Sequence, residues 1–175
     1  MTDQNASAGL GAPDTRSLLA LAHELVNRAK RAGAQEAEAV LSESRAIEAG
    51  AREGKLETVE RSETRDAGLR VLIGKRQAGV AFSDLSEAGM SLAVERAVAM
   101  AKAAPEDPYC GLADVDQLFT GDLPELDIFD STEPAPEALI ERAKAVEEAA
   151  RAVKGVTNSE GAESSWSLND VTLAA

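Results

Sequence analysis

One histidine–glutamate pair is the feature of this sequence that could hold a catalytic metal. His23 and Glu24 lie in a segment with helical spacing, and zinc proteases place such a pair on a helix with a second histidine one turn later. In this chain Asn27 and Arg28 occupy that next turn, and there is no other histidine. The pair therefore indicates the polar face of a helix rather than a zinc site.

The single thiol, Cys110, is the other candidate for chemistry. Its neighbours Glu106, Asp107 and Asp114 disfavour the thiolate form, and the chain offers no second histidine as a base. We expect Cys110 to be a small buried hydrophobe. The sequence thus predicts no catalytic, cofactor-binding or metal-ligating residue in this chain, and no cofactor of its own.

The composition is that of an acidic globular protein. Among 175 residues, 31 are acidic and 18 basic, and the formal net charge of −13 disfavours contact with nucleic-acid backbones and anionic membranes. No apolar run approaches the ~18 residues of a membrane span, and the N-terminus lacks the basic and apolar regions of a secretory signal. A single cysteine cannot form an internal disulfide, which fits a reducing compartment.

Helical spacing of apolar residues predicts three helices after a small, polar tail at residues 1–13. The apolar stripe of the third helix is expected to be Leu139, Ala143, Val146, Ala150 and Val153. The expected helices are residues 15–32, a segment from an Asp84–Glu87 capping box to just before Pro105, and a segment from Pro136 to Gly155.

The remaining segments alternate apolar and polar residues, which predicts strands with one buried face. A tight turn is expected at Glu53-Gly54. The strands are too short and too close together for helical crossovers, so the sheet should be antiparallel and the fold α+β, with the helices packed mainly on one face. The predicted strands are residues 37–41, 46–50, 56–61, 67–73, 78–82, 157–165 and 167–174.

Residues 105–135 are unusual for a connection inside a compact domain. The segment holds nine acidic residues, no lysine or arginine, and the aromatic residues Tyr109, Phe119 and Phe129. One interpretation is an acidic connector whose aromatic residues anchor it to the core, and the other is a docking surface for a partner. We favour the anchored connector, because aromatic residues in long loops usually pack.

The last predicted strand runs almost to the end of the chain. Strand alternation favours Val171 and Leu173 facing the core, with Asp170 and Thr172 facing outward. An end inside an apolar strand is typical of a domain separated from a longer protein. We therefore expect one α+β domain over residues 14–175, cut from a longer protein near Ala175.

Several stretches, in this order and spacing, resemble the N-terminal domain of the TldD/PmbA family, also called modulator of DNA gyrase. The resemblance covers roughly residues 15–175. Three stretches, at residues 107–114, 126–130 and 157–161, resemble the PmbA (TldE) branch rather than TldD. The other stretches that carry it are residues 33–39 (GAQEAEA), 52–60 (REGKLETVE), 66–71 (DAGLRV) and 78–86 (AGVAFSDLS).

This resemblance implies the function of the chain. In the family, TldD-type subunits carry a zinc motif in their C-terminal half, while PmbA-type subunits lack it and pair with TldD in a cytoplasmic metalloprotease that cleaves unfolded peptides. No family catalytic residue falls within this chain, and His23-Glu24 lies in the wrong domain. The expected function is a non-catalytic domain that binds a TldD-like subunit or a second copy of itself and helps to admit a peptide substrate. The alternative is a stand-alone protein-interaction module without a protease role, with gyrase association as the family's historical label.

Overall fold

The computed structural model describes residues 15–122, 124–127 and 129–175, so the predicted tail at residues 1–13 lies outside the described residues. The described chain contains three α-helices, four strands and one 3-10 turn. In chain order they are α1 (Thr15–Arg31), β1 (Glu36–Arg52), β2 (Lys55–Ile73), β3 (Arg76–Phe82), α2 (Glu87–Ala103), the 3-10 turn (Val115–Gln117), α3 (Pro136–Arg151) and β4 (Ala162–Ala174).

The four strands form one antiparallel sheet in the order β3-β2-β1-β4, which confirms the predicted α+β fold. Strand β3 pairs with the C-terminal part of β2 alone, from Ala67 opposite Phe82 to Ile73 opposite Arg76. The N-terminal part of β2 therefore has no strand on that side within the described chain.

The strands are fewer and longer than the sequence predicts. Residues 37–41 and 46–50 belong to one strand, β1, in which odd-numbered residues face inward along most of its length. Between them, Glu43 keeps the inward phase because its buried carboxylate pairs with Arg65. The predicted strands at 56–61 and 67–73 likewise merge into β2. The last two merge into β4, but β4 begins only at Ala162, so the strand predicted for residues 157–161 is wrong.

The turn between β1 and β2 is the predicted one, at Glu53-Gly54. Both residues have positive φ angles, 53° for Glu53 and 72° for Gly54. Positive φ at both central positions defines a type I′ turn, whose twist matches that of the two strands it joins. Glycine takes this conformation without strain, while Glu53 requires support from its surroundings.

The chain divides into two compact units. The first comprises residues up to Glu43, Thr64–Pro124 and Asp170–Ala175, and the second comprises Ser44–Glu63 and Glu125–Asn169. The expectation of a single domain over residues 14–175 stays a prediction.

In the first unit, α1 and α2 pack on the sheet through small and aliphatic side chains. Because many of these residues are alanines, the helix and sheet backbones can approach closely with few large side chains between them. An ion pair joins the two helices at the rim, where Arg28 Nη2 lies 2.7 Å from Glu87 Oε2. The buried cluster includes Leu18, Ala22, Leu25, Ala37, Leu41, Leu69, Val71, Met90, Val94 and Ala97.

The second unit has a smaller apolar cluster, in which Ile47 and Ala49 of β1 pack with Leu139 of α3. Ile140 and Trp166 lie against this cluster. The helix begins at Pro136, as predicted, because proline suits the first helical position. Its predicted stripe is only partly correct: Leu139 and Ala143 are buried, but Val146 and Val153 are exposed and Ala150 is on the surface.

The cap of α2 lies two residues later than predicted. Ser86, not Asp84, is the N-cap, and its hydroxyl accepts a hydrogen bond from the Gly89 amide at 3.2 Å. Asp84 instead accepts a hydrogen bond from the Ser86 amide at 3.0 Å. The turn is so tight that a Cβ on Gly89 would collide with the Asp84 carbonyl oxygen, so this position requires glycine.

The predicted phase of the last strand is wrong. Val171 and Leu173 are exposed, whereas Thr172 and Ala174 are buried. Even-numbered residues face inward along the whole of β4, from Ala162 to Ala174. The large apolar residues at 171 and 173 suggested the opposite assignment, but the phase set by earlier residues of the strand continues to its end.

Candidate functional site

Two strand edges in the second unit are candidate binding sites for another polypeptide. The first is β2 from Lys55 to Ser62, which lies beyond the reach of β3 because β3 pairs only with Ala67–Ile73. The second is the outer side of β4 from Ala162 to Asn169, since β4 is the last strand in the sheet order within the described chain. An unpaired edge presents free N–H and C=O groups that can pair with an added strand.

The two edges differ in charge. Four of the eight residues from Lys55 to Ser62 are charged. On β4, the exposed side chains from Glu163 to Asn169 include one charge, at Glu163, and the others, Ser165, Ser167 and Asn169, are small or polar and uncharged. An edge with few charges can accept strands of many sequences through main-chain hydrogen bonds, while a highly charged edge selects its partner by charge.

The β1–β2 turn at one end of the β2 edge is held by a buried carboxylate of α3. Glu147, whose side chain is 1% exposed, accepts hydrogen bonds from the Glu53 amide at 2.7 Å and the Gly54 amide at 2.8 Å. Each carboxylate oxygen takes one N–H group, so a turn with positive φ at Glu53 is fixed by two charge-assisted hydrogen bonds.

These hydrogen bonds also lower the pKa of the Glu147 carboxyl. The Gly54 amide is the largest cause, and the Glu53 amide, the Ser159 hydroxyl and the Arg151 charge act in the same direction against desolvation. Glu147 is therefore held ionised, because the N–H groups stabilise its charged form.

The structure places the histidine–glutamate pair on the surface of α1. His23 is exposed, and Glu24 accepts hydrogen bonds from Arg28 Nε at 2.7 Å and Arg31 Nη2 at 3.1 Å. The Arg28 hydrogen bond is the main reason that the pKa of Glu24 is lowered. Among the described residues, no cluster of three or more His, Cys, Asp or Glu side chains has the arrangement of a metal site.

Cys110 is buried, as the sequence predicts. Its backbone carbonyl accepts a hydrogen bond from Lys75 Nζ at 3.1 Å, which ties the start of the acidic segment to the turn after β2. The Asp107 amide donates to the Lys75 carbonyl at 2.7 Å and strengthens the same attachment. The segment is therefore anchored here by polar contacts to a lysine.

The aromatic residues of the acidic segment do not anchor it. Tyr109 is 95% exposed, Phe119 70% and Phe129 68%. The anchored-connector interpretation of residues 105–135 is thus wrong for these three side chains. The acidic side chains favour a solvated segment, and each aromatic ring is left available to a partner.

Sequence reasoning missed Glu147 and Glu43, the two carboxylates that are buried among the described residues. Both stand at inward positions of an otherwise apolar pattern: Glu147 lies one helical turn after Ala143, and Glu43 lies two residues after Leu41. A charged residue at a position that the pattern places on the buried face is the signal that could have revealed these sites. Such a residue is rarely buried without a specific partner.

Comparison with known proteins identifies the class. Residues 37–101 match the family model described as PmbA/TldA metallopeptidase domain 1. With the relatives described next, this match assigns the chain to the PmbA/TldD family, as its first domain. None of the helices in residues 15–122, 124–127 and 129–175 is long and apolar enough to cross a membrane.

Two curated relatives place the chain close to PmbA. It is 34% identical over 126 residues to "Metalloprotease PmbA" of Escherichia coli O157:H7, covering 71% of this chain and 28% of that protein. It is also 34% identical over 138 residues to "Metalloprotease PmbA homolog" of Haemophilus influenzae, covering 78% of this chain and 30% of that protein. The chain thus spans less than a third of the length of these relatives.

Solved structures share the fold. A putative modulator of DNA gyrase from Bacteroides thetaiotaomicron aligns with a TM-score of 0.74 at 20% identity, over 92% of this chain and 36% of that chain. TldE from Thermococcus kodakarensis aligns with a TM-score of 0.64 at 19% identity, over 88% of this chain and 35% of that chain. At these identities the likeness establishes the fold alone.

Proposed function

We propose that the chain is the non-catalytic first domain of a PmbA (TldE)-type subunit of a zinc metalloprotease that cleaves unfolded peptides. The observation that carries this proposal is the 34% identity to proteins named metalloprotease PmbA, together with the match to the family's first domain. The zinc site would belong to a TldD-type partner subunit, and the complex would work in the cytoplasm.

The chemistry of this chain's own residues supports a non-catalytic role. The single histidine is exposed on α1, and the adjacent Glu24 is engaged by two arginines. A protease zinc site of the helical type needs two imidazoles one turn apart with a glutamate free to act as base. His23 and Glu24 do not meet this requirement.

The outer edge of β4 is the part of this domain best suited to guide a peptide substrate. An unfolded substrate arrives as an extended chain, and main-chain hydrogen bonds along an edge strand align such a chain whatever its side chains are. The exposed residues Ser165, Ser167 and Asn169 add neither charge nor bulk to this edge. We therefore assign the peptide to β4 rather than to the charged edge of β2.

Reconstitution tests this proposal. The full-length protein that carries this domain is mixed with a TldD-type subunit and an unfolded peptide, and cleavage is followed by mass spectrometry. We expect cleavage only when both subunits are present, and loss of cleavage on chelation. Cleavage by the TldD-type subunit alone at an unchanged rate would contradict a role for this protein. A photoreactive group attached at Ser167→Cys should capture the peptide, while the same group at Thr58→Cys on β2 should not.

The alternative of a stand-alone interaction module is favoured by one observation, the exposure of Tyr109, Phe119 and Phe129 in the acidic segment. Exposed aromatic residues are typical anchors of protein–protein interfaces. The reconstitution separates the two functions. A module would bind a protein partner through these rings, and its addition would leave peptide cleavage unchanged.

A further inference from the structure

The ring of Phe119, in the acidic segment, is exposed but supported by the backbone that follows it. Most of the side chain is open to solvent. The far end of the ring leans against Gly121, where an added Cβ would lie 2.9 Å from the ring Cζ atom. A side chain at position 121 would therefore displace the ring. The backbone at Gly121 thus holds the ring from one side and leaves the rest of it available to a partner.

The 3-10 turn just before this ring adds further apolar surface. Val115 and Leu118 are both exposed, and the Leu118 amide donates to the Val115 carbonyl at 3.3 Å. Residues three apart in such a turn lie on the same side, so these two side chains are neighbours. Together with Phe119 they form an exposed apolar surface, which we call the Phe119 patch.

The charges next to the Phe119 patch are negative. Asp116 lies within the 3-10 turn, and Asp122 directly follows Gly121. Both side chains are exposed, and neither has a hydrogen-bond or ion-pair partner among the residues that the structure describes. Residues 105–135 contain no lysine or arginine that could occupy the patch from within the segment. The patch therefore combines an exposed ring with carboxylates that are free to bind a cation.

We propose that the Phe119 patch binds an arginine or lysine side chain of an unfolded peptide, so that the favoured substrates are cationic. A cation over an aromatic ring is attracted by the negative face of the ring, and adjacent carboxylates strengthen that attraction. The aliphatic stem of the same side chain can pack on Val115 and Leu118. The proposal rests on the proposed function, in which the ligand is an unfolded peptide, and names the class of that peptide.

Charge selects this occupant among the partners that an exposed ring could bind. A neutral or acidic peptide gains nothing from Asp116 and Asp122, whereas a cationic peptide gains from both the ring and the carboxylates. A second copy of this chain carries the same net charge of −13 and is repelled. The ring, the turn and both carboxylates belong to the first unit, so the patch is complete within it.

Peptide binding to the 175-residue chain tests the proposal. The probe is a fluorescent, unstructured peptide of glycine and serine with arginine at every third position. The reference peptide has glutamine at the same positions. Fluorescence anisotropy is measured at about 0.05 M salt, where exposed charges are only partly screened. We expect the arginine peptide to bind at least about tenfold more tightly than the glutamine peptide, and to weaken as salt is added.

The contribution of the ring is tested at position 119. Attraction between a cation and a side chain is strongest for tryptophan and is lost with an aliphatic residue. Phe119→Trp should therefore tighten binding of the arginine peptide, and Phe119→Leu should weaken it about two- to fivefold. Binding of the glutamine peptide should not follow this order. Because position 119 is exposed, both variants should keep the melting temperature of the wild type.

The contribution of the carboxylates is tested with a matched pair of double variants. Asp116→Asn/Asp122→Asn should weaken binding of the arginine peptide about fivefold. Glu95→Gln/Glu148→Gln changes the net charge by the same amount at exposed positions of α2 and α3, and should have a much smaller effect. The comparison separates a local site from general attraction to an acidic protein.

Three results would overturn the proposal: equal binding of the arginine and glutamine peptides, wild-type affinity in Phe119→Leu, or equal effects of the two double variants. A Phe119→Leu variant that keeps peptide binding but loses a TldD-type subunit would also overturn it, since the patch would then belong to a folded partner. The peptide measurement needs neither that subunit nor cleavage. Its failure is therefore distinct from failure of the proposed function, which the reconstitution decides.

Discussion

Replacing Glu147 with glutamine is expected to lower the melting temperature of the chain by roughly 5–10 °C. The side chain is buried and accepts the Glu53 and Gly54 amides, one on each oxygen. Glutamine keeps the shape but has one acceptor oxygen, so its NH₂ group would meet one of the two amides donor to donor. Because Glu53 already has a positive φ angle, the turn loses the contacts that stabilise it.

The matched control is Glu148→Gln, which removes the same charge from an exposed neighbour and should leave the melting temperature nearly unchanged. The difference between wild type and Glu147→Gln should also depend on pH. Since the pKa of Glu147 is lowered in the folded chain, its contribution is present above the unfolded value of about 4.3. It is lost as the pH falls through the folded value. A gap that persists unchanged in strong acid would contradict the carboxylate's role.

Thr172→Lys is expected to destabilise the chain by about 3 kcal/mol, because it places a charge in a buried position. Thr172 is 7% exposed, and its hydroxyl is buried without a hydrogen-bond partner among the described residues. Thr172→Val should therefore have the opposite effect and stabilise the chain by about 1 kcal/mol, since it removes an unsatisfied polar atom while keeping the branched shape.

The neighbouring position supplies the control. Val171 is 62% exposed, and Val171→Lys should change stability by no more than about 0.5 kcal/mol. Denaturant unfolding of the four proteins gives the comparison. If Val171→Lys proves the more damaging lysine substitution, β4 has the opposite phase from the one described above.

The sequence was most informative where a local pattern decides the structure. The Glu53-Gly54 turn and the start of α3 at Pro136 depend on the backbone preferences of a few residues, and both are confirmed. The antiparallel sheet followed from connections too short for crossover helices. These features require no knowledge of distant contacts.

The features that were mispredicted depend on tertiary partners. The inward-facing side of β4 was predicted from Val171 and Leu173, which are large and apolar. In the structure the even-numbered residues face inward, and these include Trp166 and Leu168 earlier in the strand. Phe119 and Phe129 were expected to anchor their segment to the core, but both side chains are exposed. The Glu147 site was missed because its hydrogen-bond donors are backbone amides, which every residue except proline has, so no residue type identifies them in the sequence.

Zinc content tests most directly whether this domain is non-catalytic. The 175-residue chain, purified without chelators, is measured by elemental analysis beside its His23→Ala variant and beside a TldD-type subunit. We predict well under one zinc per chain, no change on replacing His23, and stoichiometric zinc only with the TldD-type subunit. About one zinc per chain that is lost in His23→Ala would contradict the assignment, because His23 would then be a ligand of a metal site in this domain.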